Sequence, residues 1–184
     1  MKIWQMNFEV DAYDNLIPVR DLTLEEKQTF DGRMHKNTWK PLKIKRMEPK
    51  KKLPLADVSG FFFIPAFNQR AVNALLPLIA NSVELLELDF SKKQYFGINV
   101  INVLDVIDHV NSKFTMFSDQ KRILTFEKYA FRMCNEIKAA HIFKIVDKPL
   151  RIIFVSDEFK RVVEENGLTG FKFELVWDSE EFDK

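Results

Sequence analysis

Arg151-Ile152-Ile153-Phe154-Val155-Ser156-Asp157-Glu158-Phe159-Lys160-Arg161-Val162-Val163-Glu164-Glu165-Asn166-Gly167-Leu168-Thr169-Gly170-Phe171-Lys172-Phe173-Glu174-Leu175-Val176-Trp177 is the stretch that sets the fold class. Residues 151–155 carry four bulky apolar side chains in a row, the pattern of a buried strand. Ser156 can accept a backbone N–H at a helix start, and Asp157 and Glu158 suit the positive end of the helix dipole. Phe159, Val162 and Val163 form an apolar stripe at helical spacing. Gly167 supplies the left-handed residue that ends the helix. Gly170 then turns the chain into a strand over residues 171–177, with Phe171, Phe173, Leu175 and Trp177 alternating against the opposite face. Strand, helix and strand in this order predict an α+β fold: a mostly antiparallel sheet with a few helices packed against it.

Working outward, residues 121–131, 141–146 and 150–155 read as strands. Residues 83–90 and 94–104 read as adjacent strands around a turn at Ser91-Lys92-Lys93. Residues 105–109 form either a helical turn or a strand end. A helix is expected over residues 68–79, capped by Asn68, with Ala71, Leu75, Leu78 and Ile79 on one face and Pro77 disturbing its last turn. Before it, Phe61-Phe62-Phe63-Ile64 is too apolar for an exposed position and is expected to be buried, with Pro65 blocking its continuation. Residues 3–10 read as a strand. Thr23 caps a short helix over residues 24–30, Glu26 completes a capping box, and Gly32 stops it. Residues 39–47 read as an exposed strand in which Leu42 and Ile44 alternate with Lys43 and Lys45. Pro49 and Pro54 bracket Lys50-Lys51-Lys52 as a loop. Residues 178–184 form an acidic, frayed tail.

The chain has 184 residues, 46% of them hydrophobic, which is enough to build a core without disulfides or metals. Phe is abundant, at 18 residues. Core filling accounts for most of it, and interfaces also favour aromatic residues. Net charge is +1, so charge alone calls for no nucleic acid, membrane or acidic partner. Its distribution is uneven. Residues 1–31 carry a net −4, residues 33–52 a net +8, and residues 156–184 a net −5. Such a dipolar surface steers encounter with a charged partner. One cysteine, Cys134, fits a reducing compartment. The opening residues lack the apolar run of a signal peptide. No apolar stretch approaches the ~20 residues that span a bilayer. These features predict a cytoplasmic protein that does not enter a membrane.

Residues able to do chemistry are sparse. His35, His109 and His141 are far apart and show no metal-binding spacing. Asp105, Asp108 and His109 could converge on one helix face, but the ordinary reading of such a group is a polar turn. Cys134 and His141 could pair as thiol and imidazole, but a single cysteine is more often a small core residue. The glycines, Gly32, Gly60, Gly97, Gly167 and Gly170, form no phosphate-binding loop. The lysine-rich segment has Trp39 at its edge and no base-reading motif, so it could touch phosphate without reading sequence. No catalytic, cofactor or metal site is expected.

Five ordered blocks resemble a family of bacterial immunity proteins, the eleventh of the catalogued polymorphic-toxin immunity families, first described as a domain of unknown function. Phe67-Asn68-Gln69-Arg70-Ala71 with Leu75-Leu76-Pro77-Leu78 resembles its helix opening, and Val83-Glu84-Leu85-Leu86-Glu87-Leu88 the strand that follows. Tyr95-Phe96-Gly97-Ile98-Asn99-Val100 and Val103-Leu104-Asp105-Val106-Ile107-Asp108 resemble its central block. Val155-Ser156-Asp157-Glu158-Phe159-Lys160 with Gly167-Leu168-Thr169-Gly170-Phe171-Lys172-Phe173 resembles its closing run. Asn68 and Glu87 depart from the family's usual serine and proline.

The resemblance implies an immunity-type α+β domain over residues 55–178; residues 1–54, which match none of its blocks, read as an N-terminal strand and arm region packed on the same core, and residues 179–184 as an acidic tail. It implies a non-enzymatic protein that binds a cognate toxin in the cytoplasm and covers its active site, in bacterial competition. The alternatives are a nucleic-acid-binding accessory protein and an enzyme built on Asp105, Asp108 and His109. Two charged patches are candidates for the partner surface: Trp177, Asp178, Glu180, Glu181 and Asp183 at the C-terminal end, and Lys50, Lys51 and Lys52 in the basic loop.

Overall fold

The computed structural model describes residues 1–61, 64–91, 93–150 and 152–182, the side chains of Phe61 and Phe182 excepted. Phe62, Phe63, Lys92, Arg151, Asp183 and Lys184 therefore lie outside the described residues. In chain order the elements begin with β1 (Lys2–Phe8), β2 (Leu16–Pro18), α1 (Leu24–Gln28), β3 (Leu42–Arg46), β4 (Val58–Phe61), β5 (Ile64–Asn68) and α2 (Gln69–Ile79). There follow β6 (Val83–Asp89), β7 (Tyr95–Val100), β8 (Val103–Leu104), β9 (Lys113–Met116), β10 (Ile123–Lys128) and α3 (Asn135–Ala139). The last are β11 (Ile142–Ile145), β12 (Phe154–Ser156), α4 (Asp157–Glu165), β13 (Phe171–Asp178) and α5 (Ser179–Phe182).

The fold is α+β, with two large sheets. One runs β13-β1-β12-β11-β8 and the other β2-β3-β6-β7-β5-β4, while β9 and β10 pair as a separate hairpin. The expectation of a mostly antiparallel sheet needs correction, because both large sheets are mixed. β8 runs parallel to β11, and β3 runs parallel to β6. The first parallel pair arises where residues 94–104, expected as one strand, divide. The N–H groups of Ile101 and Asn102 both turn to the Ser82 carbonyl, at 3.0 and 3.3 Å. That bend carries the chain from one sheet into the other.

Local signals set the helix ends. The Thr23 hydroxyl accepts the Glu26 N–H, and the Glu26 carboxylate accepts the Thr23 N–H, closing the capping box of α1. The Asn68 side chain accepts the Ala71 N–H at the start of α2. Ser156 accepts the Phe159 N–H at the start of α4. At the other end of α4, the Gly167 N–H reaches the Glu164 carbonyl and the Leu168 N–H reaches the Val163 carbonyl, both at 3.0 Å. These are the two bonds of a Schellman motif, and Gly167 has φ +56°. A Cβ at Gly167 would meet only the far end of Arg70 at 3.8 Å, so the penalty there is conformational and not steric. Gly167→Val is expected to cost about 1 kcal/mol in a urea unfolding experiment. An unchanged midpoint would contradict it.

Several local expectations are corrected. Pro65 does not end the apolar run but sits inside β5. The ladder from β7 begins one residue later, at Ala66, so on that side the missing N–H of Pro65 breaks no bond. Residues 150–155 shrink to the three-residue β12, and residues 39–47 to β3, whose apolar face is buried. Residues 121–131 supply β10, paired with β9, which has no counterpart in the expectations. The Lys50-Lys51-Lys52 segment is a 3-10 turn over Pro49–Lys51, ended by Lys52 at φ 54°. Residues 179–182 form α5, where a frayed tail was expected.

Among the described residues, three apolar clusters form the core. The first joins both sheets under α2 and α4 and includes Phe67, Leu75, Ile98, Val155 and Phe159. The second includes Ile3, Ile107, Phe131, Phe143 and Trp177. The third includes Leu16, Phe30, Leu42, Leu86 and Tyr95. β1 lies between β13 and β12, so residues near the N-terminus occupy the middle of a sheet.

Candidate partner-binding surface

Residues 29–39 contain no helix or strand, yet buried polar groups hold their backbone in place. Glu84 on β6 and Asn99 on β7 are cross-strand partners, 5% and 0% exposed. The Glu84 carboxylate accepts the His35 N–H at 2.7 Å, the Lys36 N–H at 3.1 Å and the Asn99 amide at 2.9 Å. The same Asn99 amide donates to the Arg33 carbonyl at 2.8 Å. Burial alone would raise the Glu84 pKa, but these bonds outweigh it and hold the carboxyl below its usual range. Lys144 on β11 is fully buried, and its ammonium donates to the Phe30 carbonyl at 2.6 Å. Burial pushes its pKa down to about 8, against the opposing pull of Asp31. The Trp39 indole donates to the Glu87 carbonyl at 2.8 Å. The His35 ring packs on Phe30 in a tilted arrangement, with centroids 4.8 Å apart, and its Nε2 donates to the Thr29 carbonyl, which can only accept.

What this scaffold displays follows from strand parity. On β6, Glu84, Leu86 and Leu88 are buried on the face that receives residues 29–39, while Leu85 and Glu87 point to the other face. α2 covers that other face only in part. Beside α2, Leu76, Leu85 and Phe96 stay half-buried and Pro77 exposed, lining one groove. On β3, buried Leu42 and Ile44 alternate with exposed Lys43 and Lys45. Leu42 pairs with Leu88 and Lys43 with Asp89, so Lys43, Asp89, Glu87 and Leu85 share one face. A second notch, lined by Lys36, Trp39, Pro41, Leu85 and Glu87, adjoins the first through Leu85.

The lysines of the basic segment are exposed, and only part of its charge is neutralised. Arg33 pairs with Asp31 at 2.9 Å, Arg46 with buried Asp14 at 2.7 Å, and Lys51 with Glu48 at 2.7 Å. Asp14 also accepts the Glu48 N–H at 2.9 Å, which fixes the entry to the 3-10 turn bearing Lys50, Lys51 and Lys52. Among the described residues, Lys36, Lys40, Lys43, Lys45, Lys50 and Lys52 form no ion pair.

The C-terminal candidates divide. Trp177 is 4% exposed and packs on Phe131 at 5.8 Å, so it is a core residue and no surface anchor. The reason is a bulge. Ile3 pairs with Trp177 but Trp4 with Leu175, leaving Val176 as an extra residue that moves Trp177 to the opposite face. Asp178 is also buried; it accepts the Glu180 N–H at 3.1 Å and lies 3.7 Å from the Lys2 ammonium. Glu180 and Glu181 are exposed on α5. The lysine turn follows β3 and the acids follow β13, so the two candidate patches belong to different sheets.

The groups considered for catalysis do not converge. Asp105 pairs with Arg132 at 2.9 Å. Asp108 accepts the N–H groups of Val110 and Asn111 and the Asn111 amide, a turn that holds its carboxyl below the usual range. His109 bonds Asp147 at 2.7 Å. His141 bonds the Ser156 hydroxyl at 2.9 Å and not Cys134. Among the described residues, no group of three His, Cys, Asp or Glu could hold a metal ion, and no helix is long and apolar enough to cross a membrane.

Comparison with known proteins adds one match. A family model described as "Immunity protein family (Imm11)" matches residues 81–178, more than half of the chain. That span contains Glu84, Asn99 and Lys144, whereas the segment they hold lies outside it. No curated protein matches the chain. The chain belongs to the Imm11 immunity protein family.

Proposed function

We propose that this protein is a cytoplasmic immunity protein that binds a cognate bacterial toxin of the polymorphic or secreted-effector kind and neutralises it by covering its active site. Family membership over residues 81–178 carries this reading. The geometry is compatible with it. A binder needs a rigid, charged and partly apolar surface and no reacting groups of its own. Asp105, Asp108 and His109, the best candidates for acid–base work, are engaged with three different partners.

Co-expression tests the proposal. The C-terminal domain of the toxin encoded beside this gene should arrest growth when expressed alone and should do no harm when expressed with this chain. Growth arrest that persists at matched expression would count against immunity. Protection lost in a folded Asp108→Asn/His109→Gln variant that still binds the toxin domain would instead favour an enzymatic role.

A further inference from the structure

We infer that the outer edge of β13 pairs antiparallel with the same strand of a second copy of this chain, about a two-fold axis at Phe173. The inference does not depend on the immunity reading.

Among the described residues, β13 lies at the end of its sheet and pairs with β1 alone. Which backbone groups face outward follows from parity. The Met6 N–H turns to the Ile153 carbonyl on the β12 side, at 2.9 Å, so its cross-strand partner Phe173 directs its own N–H and C=O away from β1. By the period of two, Phe171 and Leu175 do the same. The Val58 N–H reaches the Thr169 carbonyl at 3.2 Å, before β13 begins, and the bulge at Val176 ends the regular stretch on the other side. Residues 171–175 therefore keep a regular, open edge of the kind that proteins tend to cover or pair.

Charge selects a second copy as the occupant and fixes the register. Residues opposite each other in an antiparallel pair share a face, so the two-fold axis must pass through a residue. An axis at Lys172 or at Glu174 sets that side chain against its own copy, which repels. An axis at Phe171 or Leu175 leaves almost none of the regular stretch paired. An axis at Phe173 sets each Lys172 against Glu174 of the second copy, twice. These are non-hydrogen-bonded pairs, in which side chains approach most closely. Both side chains are exposed and form no ion pair among the described residues; Lys172 lines a shallow notch with Glu9 and Asp11 but bonds neither. The same register sets Phe173 against Phe173 and Leu175, 42% exposed, against Phe171, with about six main-chain bonds closing the edge.

The test is sedimentation of the full chain over a range of concentrations at low salt, with urea unfolding to check that each variant is folded. The wild type is expected to show a reversible monomer–dimer equilibrium that weakens as salt is raised. Lys172→Glu alone, or Glu174→Lys alone, should weaken the dimer by roughly tenfold or more, because each makes two like-charged pairs. Lys172→Glu/Glu174→Lys should restore it to within about threefold of the parent. An equimolar mixture of the two single variants should associate where each alone does not, because every cross-strand pair is then opposite in charge. A wild type that stays monomeric at millimolar concentration would overturn the inference, as would a dimer indifferent to these charges or a mixture that fails to associate. Toxin binding lost in folded Glu174→Lys, with a monomeric wild type, would give this edge to a strand of the toxin instead.

Discussion

Glu84→Ala is expected to lower the unfolding free energy by about 3 kcal/mol. Removing the carboxylate leaves the His35 and Lys36 N–H groups without their acceptor, and the Asn99 amide keeps only its bond to the Arg33 carbonyl. Each buried donor left unpaired costs about 1–3 kcal/mol, discounted at His35 and Lys36 because water can reach them. Relief of the buried charge returns part of the loss. For a chain of this size the melting temperature should fall by roughly 6–12 °C. The effect should also be local. Amide exchange at His35 and Lys36 should accelerate before global unfolding, and Trp39 fluorescence should shift as its packing on Phe30 loosens. Glu84→Gln should fall between parent and alanine, because its amide nitrogen would face donors. A loss below about 1 kcal/mol for Glu84→Ala would show that the segment is held by its apolar contacts and not by this carboxylate.

The parts of this fold legible in the sequence were those set within a few residues. The capping box at Thr23 and Glu26, the Asn68 and Ser156 caps and the left-handed Gly167 depend on neighbours three or four positions away. The β6–β7 hairpin was readable for the same reason. Strand partnership was not, because it depends on residues far along the chain. Nothing near residues 2–8 says that they will lie between β12 and β13. Trp177 shows the limit most clearly. Its period-two context placed it with Phe171 and Phe173, but a one-residue bulge, invisible in β13 alone, reversed its face.

The candidate surface was legible only as charge. Counting lysines located the basic segment but could not say which were spent; Arg46 and Lys51 have ion-pair partners, whereas Lys43 and Lys45 form none among the described residues. The buried polar residues that shape this surface were missed as a group. Glu84 and Asn99 stand inside the family-like blocks, where they match the pattern without showing what they meet. The backbone N–H groups that Glu84 holds are 49 and 48 residues away, and the Lys144 partner is 114 away. One signal was available: Lys144 interrupts the otherwise apolar run Ile142-Phe143-Lys144-Ile145. A lysine flanked by buried residues on both sides invites the question of what it meets inside.

That lysine gives the second large expectation. Lys144 has a folded pKa near 8, lowered by burial, against about 10.4 in an unfolded chain. Between these values the unfolded chain holds a proton that the folded chain has released. Stability therefore rises with pH across this window, by about 3 kcal/mol in total. Below pH 8 both states are protonated, and the folded chain bears the full cost of a buried ammonium. Tyr95 and Tyr129, pushed up to about 12 by burial, act in the opposite sense above about pH 10, so the clean interval is pH 8 to 9.5. Lys144→Met removes the buried charge and keeps a chain of similar length. It strands the Phe30 carbonyl, at a cost of about 1–2 kcal/mol. The variant should therefore be more stable than the parent by about 1–2 kcal/mol at pH 7, with the advantage fading by pH 9.5. Urea midpoints at pH 7, 8.5 and 9.5 for both proteins measure this directly. A parent whose stability is flat over that range, or a methionine variant weaker at pH 7, would mean that the ammonium is stabilised in place. Its bond to Phe30 and the pull of Asp31 would then outweigh its burial.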